Sequence, residues 1–267
     1  MKSILSINKK FMLFSPYELI ELVKKNSKYI DGFEIYIDYH NENEIRYLKE
    51  LADYCKIYNY HFQVHGDSSL CLEEQIDFLK LLEQIYDLLG YKINVVLHSI
   101  NAETNEKSIE LTTDYLNEIT NQIDNSKLII SLENLNNIPF EERLNINDVL
   151  PIVANNEKIF LTYDIGHEIV DYNSVTNIDS NLINLISNVH IHSTNYDIYS
   201  GGFDHKPIFK NDINWNNIIK AILFLKNNDY ENSIVFEYDL YACPGNNIEE
   251  KLISYCDSID YVSERIK

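Results

Sequence analysis

Arginine is nearly absent from this chain. Only Arg46, Arg143 and Arg265 carry a guanidinium among 267 residues, and 22 Lys+Arg face 42 Asp+Glu, a formal charge of −20. Broad grip on nucleic acid or an anionic membrane needs clustered cations, so neither partner is expected, although a local basic cleft is compatible with this balance. Bidentate phosphate clamps are scarce for the same reason. Glycine (7) and proline (5) are few, which excludes low-complexity and disordered classes. No Pro/Gly/Ser-rich linker divides the chain, so one domain over residues 1–267 is expected. No apolar run reaches the length of about 18 residues that a membrane span needs. The four cysteines, Cys55, Cys71, Cys243 and Cys256, form no C-x-x-C pair. The start, MKSILSINKKFML, is too short and interrupted in its apolar run for a signal sequence, so reduced thiols in a cytoplasmic protein are expected.

What the chain does contain is alternation. Eight short runs rich in Ile, Val, Phe and Tyr read as strands: 3–7, 32–38, 61–65, 93–98, 127–134, 158–164, 188–192 and 233–239. They recur about every thirty residues, close to one βα unit. Amphipathic segments lie between them. SPYELIELVKK opens at Ser15 with an N-cap, a proline just inside and a glutamate at Glu18. NENEIRYLKELADYCKIYN places Ile45, Leu48, Leu51 and Cys55 on one face. LEEQIDFLKLLEQIYDLLG ends at Gly90, a C-cap residue. Further helices are expected near 105–122, 145–154, 177–186, 214–228 and 247–265. Eight such units predict an α/β fold, a single-domain (β/α)8 TIM barrel.

A barrel of this kind carries its chemistry at the C-terminal strand ends. The third run ends in His65, the fourth in His98, the fifth in Glu133-Asn134 and the sixth in Asp164, followed by His167. The seventh ends in His192, with His205 in the loop after it, and the eighth carries Glu237 and Asp239. A His/Glu/Asp cluster on one rim offers the lone pairs a metal site needs. Each residue alone has a plainer role: a strand-end His is often a hydrogen-bonded structural residue, and Asp164 is placed to cap a helix. Glu133 and Glu237 sit within apolar surroundings (SLEN, VFEY), where a carboxylate is costly unless paired or ligated. Strand periodicity points His190 and His192 the same way. The strand-end rule favours His192 as the ligand and leaves His190 as buried structure. His40 and His61 read as structural.

These motifs resemble the xylose isomerase-like barrel superfamily, which includes sugar epimerases, inosose dehydratases and the endonuclease IV group. The resemblance rests on LEN (132–134), DIGH (164–167), HIHSTN (190–195), HKPIFKNDINW (205–215) and FEY (236–238) and spans essentially the whole chain. The chain departs from the superfamily pattern at Phe209 and Asn211, where glycines are usual, and at Asn195 and Asn214, where aspartates are usual. The resemblance implies an epimerase-type metal site of Glu133, Asp164, His192 and Glu237, with His167 touching substrate or a second ion. One histidine with three carboxylates suits Mn²⁺, Mg²⁺, Co²⁺ or Zn²⁺. The endonuclease IV comparison adds His65, His98, His167 and an Asp-x-His pair. That pair is broken here, because Phe203 stands two before His205 and Asp204 is adjacent to it.

Two activities are expected from this reading, with a third possibility behind them. The first is a divalent-metal-dependent isomerase or epimerase of a small ketose or related sugar carbonyl, working through an enediolate. Glu133 and Glu237 act as the acid/base pair, and His65, His98, His167 and His205 bind substrate. The alternative is metal-assisted hydrolysis of a phosphodiester with two or three ions, against which the −20 charge weighs. The third is a sugar-binding barrel without catalysis, for which all four expected ligands survive needlessly. A small-molecule sugar is the expected partner, and self-association into a homo-oligomer is left open.

Overall fold

A computed structural model describes residues 1–137, 143–172, 174–175, 179–195 and 204–266. Eight strands form: β1 (Lys2–Ile7), β2 (Ile30–Tyr36), β3 (His61–His65), β4 (Ile93–Leu97), β5 (Leu128–Glu133), β6 (Ile159–Asp164), β7 (Ile186–Ile191) and β8 (Ser233–Phe236). They pair in chain order, all parallel, and β1 pairs with β8 to close the barrel. The expected (β/α)8 architecture is therefore the one observed.

Helices α1 (Pro16–Asn26), α2 (Glu42–Tyr58), α3 (Leu72–Leu89), α4 (Asn105–Gln122), α5 (Ile146–Ala154), α6 (Ile165–Tyr172), α7 (Trp215–Asn227) and α8 (Ile248–Ile266) surround it. Local signals set several of their ends. Ser15 and Glu18 form a reciprocal capping box at the start of α1, with Pro16 in its first turn. Gly90 ends α3 in the left-handed region at φ 79°, a conformation glycine adopts without Cβ strain. Ile20, Leu48, Leu51, Cys55, Leu79 and Leu82 are buried against the outer barrel wall.

One expected helix is not observed as such. The 177–186 segment contains a short 3₁₀ turn at Ser180–Leu185, and residues 177 and 178 lie outside the described set. The helix of that unit instead begins directly after β6, as α6. Asp164 supplies the reason, because its Oδ1 accepts the backbone N–H of His167 at 2.7 Å and starts the helix at the strand end. The motif DIGH thus bends straight from strand into helix.

The inside of the barrel is unusually polar. Glu34, Gln63, Asn94, Ser131, Thr162, Asn188 and His190 are buried there, where branched apolar side chains are the rule. Thr162 donates to Ser131 at 2.8 Å, and Gln63 donates to Glu34 at 2.7 Å. This polar column rises to the C-terminal rim.

No helix among the described residues is long and apolar enough to cross a membrane.

Candidate metal and active site

The rim gathers the strand-end residues into three adjoining groups. His65 and His98 meet Glu133. Glu133, Asp164, His190 and Glu237 form a second group. His167, His192 and His205 form a third. Within each group the donor atoms lie within 4.8 Å of one another. Glu133 belongs to the first two groups and joins them.

Glu133 ends β5 and is 1% exposed. Its Oε2 lies 3.0 Å from His98 Nε2 and 3.3 Å from His65 Nε2, and its Oε1 lies 2.9 Å from His190 Nδ1. Burial opposes its charge. The charge of His190 and the hydrogen bonds of His190, His65 and His98 outweigh burial and hold this carboxyl well below the usual range. Burial likewise opposes a charged His65, yet hydrogen bonding and attraction from Glu133, with Glu237 and Glu34 behind, push it up to about 9. His98 is drawn down, by burial first and then by repulsion from His65.

Glu237 is the first residue beyond β8. Its Oε2 lies 3.0 Å from His190 Nδ1 and 3.7 Å from His205 Nε2. Burial raises its pKa, but the charges of His190 and His205 prevail and hold it well below normal. Its side chain is 21% exposed and reaches the cavity above the rim. The two glutamates therefore differ: Glu133 is enclosed by three imidazoles, whereas Glu237 faces open volume.

His190 and His192 fall in different groups. In the ladder His190 stands level with Asp164 of β6 and Val235 of β8. That register brings its Nδ1 to Glu133 and Glu237, and to 3.9 Å from Asp164 Oδ2. His192, one residue past the end of β7, lies above that layer. Its ring stacks on His205 at 4.1 Å between centroids, and its Nε2 is 3.4 Å from Asp164 Oδ1. His190, read from sequence as buried structure, is the histidine among the three carboxylates; His192 belongs to the third group. Period-two alternation already placed both residues inward, and only the relative register of β6, β7 and β8 separates them.

Gly166 has a packing reason. A Cβ there would stand 2.3 Å from the ring of His192, so only glycine admits that imidazole. His205 is left-handed at φ 52°, and Asn211 at φ 69°. Asn211 stands where the superfamily pattern carries glycine, and asparagine is among the few residues that tolerate this region. Asp204, adjacent to His205 and not two before it, still reaches the third group. Its Oδ1 is 3.3 Å from His192 Nδ1 and its Oδ2 is 3.6 Å from His205 Nδ1. Phe203 lies outside the described residues. Burial opposes a charged His205, while Glu237 and Asp204 push it up to about 10.

The donor set fits divalent cations. Asp164 Oδ2, Glu237 Oε2 and His192 Nε2 are buried polar atoms without a hydrogen-bond partner, although each stands beside other potential ligands. Uncompensated buried lone pairs of this kind are costly, and a cation would satisfy them. Imidazole with carboxylate suits borderline ions such as Zn²⁺, Co²⁺ and Mn²⁺.

Above the groups opens a cavity of about 640 Å³, lined by His65, His98, Glu133, His167, His205 and Glu237, with Lys10, Tyr36 and Arg143 on its walls. That volume lies within the range of small-molecule sites. Lys10 is held by Asp239 at 2.7 Å. Four expected substrate contacts, His65, His98, His167 and His205, thus line one cavity with both glutamates.

Comparison with known proteins places this architecture. No curated protein matches the chain by sequence. Among solved structures the fold is similar to a zinc-bound IolI protein (18% identity, 99% of each chain, TM-score 0.69). It is also similar to D-psicose 3-epimerase with D-tagatose from Clostridium cellulolyticum H10 (16% identity, 100% of each chain, TM-score 0.67). An AP endonuclease of family 2 from Brucella melitensis shares it as well (13% identity, 94% of this chain and 96% of that one, TM-score 0.63). At these identities the likeness speaks for the fold. The profile of the xylose isomerase-like TIM barrel family matches residues 17–257. With the closed eight-stranded barrel, the chain belongs to the xylose isomerase-like TIM barrel family.

Proposed function

We propose that this barrel is a divalent-metal-dependent isomerase or epimerase of a small sugar-type carbonyl compound. The observation that carries the reading is the convergence of Glu133, Asp164, His190 and Glu237 beneath a cavity of monosaccharide scale, with buried lone pairs on Asp164 and Glu237 left unpartnered. These four residues, and not the set with His192, are the ones we assign to the principal ion. When bound, the ion supplies charge that stabilises a negative oxygen developing on the substrate.

The protein's own groups do the rest. Glu237, held as a carboxylate by His190 and His205 and open to the cavity, is placed to take a proton from a carbon next to the carbonyl. Glu133 stands across His190 from it and is assigned the opposite face, where it relays to the carbon a proton drawn from its partner His65, while Glu237 keeps the abstracted proton until solvent removes it. His65, His98, His167 and His205 present ring nitrogens that orient substrate hydroxyls. Proton transfer by a positioned group contributes about 10²–10⁴-fold to such a reaction.

The test is solvent deuterium incorporation, followed by NMR, across a panel of ketoses with metal-loaded protein. Exchange at a carbon next to the carbonyl, lost in Glu237→Gln, is the expected result. No exchange with any ketose, by protein that retains its ion, overturns the assignment.

A specific observation favours a second reading. Both oxygens of Glu133 are engaged by histidines, as in a carboxylate shared between two ions, and the third group of His167, His192 and His205 lies alongside. Two or three ions in one cluster would suit phosphodiester hydrolysis, the activity class of the family 2 AP endonuclease that shares the fold. Metal content per chain separates the readings: one ion supports the epimerase, two or three the hydrolase.

A further inference from the structure

The polar column inside the barrel holds a carboxylate that neither reading uses. Glu34 lies on β2 and is 0% exposed, near the barrel axis and below the rim. Its Oε2 accepts from Gln63 Nε2 at 2.7 Å and from Asn188 Nδ2 at 3.1 Å and lies 3.3 Å from His190 Nε2, with Oε1 at 3.2 Å from the same nitrogen. A buried carboxylate is costly to maintain unless its environment is built around it. Here two strands, β3 and β7, aim donors at one side chain.

We propose that Glu34 is a positioning residue: it accepts the Nε2–H of His190 and so turns the Nδ1 lone pair of that ring toward Glu133, Asp164 and Glu237. This inference rests on the metal reading of those four residues. The argument is tautomeric. Imidazole binds a cation through a deprotonated nitrogen, and the nitrogen facing the three carboxylates is Nδ1. The ring's remaining proton must then sit on Nε2, where Glu34 is the charged acceptor. In the opposite tautomer the Nε2 lone pair would face the Glu34 carboxylate, and two negative surfaces would meet at 3.2 Å. Asn188 Nδ2 also lies 3.0 Å from Nε2. It is the weaker competitor, because a hydrogen bond to an ionised acceptor is about twice as strong as a neutral one. Gln63 and Asn188 in turn fix the Glu34 rotamer, so the orientation of His190 is set by a network two residues deep.

Carboxylates behind metal-bound histidines are worth about 10–100-fold in metal affinity. The experiment is titration of the full-length protein with Co²⁺, by visible absorption and chelator competition. Wild type is compared with Glu34→Gln, and the relevant ion is identified as the one lost in His190→Ala. Glu34→Gln keeps the volume but removes the charge, and about 10–100-fold weaker binding of that ion is expected, with an unchanged circular dichroism spectrum. Should Glu34→Gln not fold, ¹⁵N NMR of histidine-labelled, Zn²⁺-loaded wild type decides: a proton on His190 Nε2 is expected, and a proton on Nδ1 overturns the proposal. Equal Co²⁺ affinity in Glu34→Gln and wild type overturns the role of Glu34 while leaving the metal site standing. Failure of wild type to bind Co²⁺ removes the metal reading itself, and this inference with it.

Discussion

Replacing Glu133 by glutamine is the perturbation with the widest consequences. The change keeps the shape and removes one charge from a side chain 1% exposed, whose oxygens meet His190, His98 and His65 at 2.9, 3.0 and 3.3 Å. Breaking a buried ion pair costs about 3–5 kcal/mol. The imidazoles can release protons once their partner is neutral, and repulsion among the remaining carboxylates falls. The metal-free variant should therefore lie at the lower end, about 3 kcal/mol less stable. An unfolding entropy of about 2.1 cal/mol/K per residue gives about 0.56 kcal/mol/K for this length, so the melting temperature should fall by about 5 °C. The metal-dependent losses are larger. The variant should lose the ion shared with Asp164, His190 and Glu237, and ketose deuterium exchange should drop by about 10²–10⁴-fold or more. Calorimetry, metal analysis and NMR exchange measure the three effects. A variant that melts with the wild type, keeps its ion and exchanges substrate hydrogen normally would refute the placement of Glu133 at the centre of the site.

Three other outcomes follow from particular residues. His98→Ala should leave the metal content unchanged under the single-ion reading and weaken only substrate binding, because His98 lines the cavity and touches Glu133 alone among the four principal residues; loss of a full ion by elemental analysis would show that His65, His98 and Glu133 hold their own. His61 lies at the opposite end of the barrel, where burial first and Lys2 second pull its pKa down to about 4. Its folded state favours the neutral ring, so the associated stability is complete above about 6.5, the ordinary value, and is lost as pH falls toward 4. By linkage this loss amounts to about 3 kcal/mol, and His61→Gln should remove that part of the acid sensitivity in paired pH-dependent denaturation curves. Duplex DNA with an abasic site should not be cleaved at low salt with added Zn²⁺ or Mn²⁺, since a chain of charge −20 has few cations to set against phosphates. Multiple-turnover cleavage that vanishes in Glu133→Gln would promote the hydrolase reading.

The barrel was legible because its signals are local. Strand runs, the Ser15–Glu18 cap and Gly90 each act within a few residues, and the structure keeps them. The 177–186 helix misread a polar-apolar pattern, while the actual α6 was hidden in DIGH, whose aspartate reads as a ligand before it reads as a cap. The rim residues were legible as a set, because strand ends converge by topology. Which of His190 and His192 stands nearest the three carboxylates was not, since it depends on how β7 registers against β6 and β8, including the irregularity between Leu161 and Thr162. Glu34 lay within the second run without an evident partner. Its role comes from Gln63, Asn188 and His190, which are remote in sequence and meet only inside the closed barrel.

The central claim is that Glu133, Asp164, His190 and Glu237 bind a divalent ion. Equilibrium dialysis of the metal-stripped chain against Zn²⁺ or Mn²⁺, with elemental analysis of wild type and His190→Ala, tests it most directly. The account predicts at least one tightly held ion per wild-type chain and one fewer in His190→Ala, with His192→Ala retaining that ion. Wild type that binds no ion, or His190→Ala that binds as many as wild type, would contradict it.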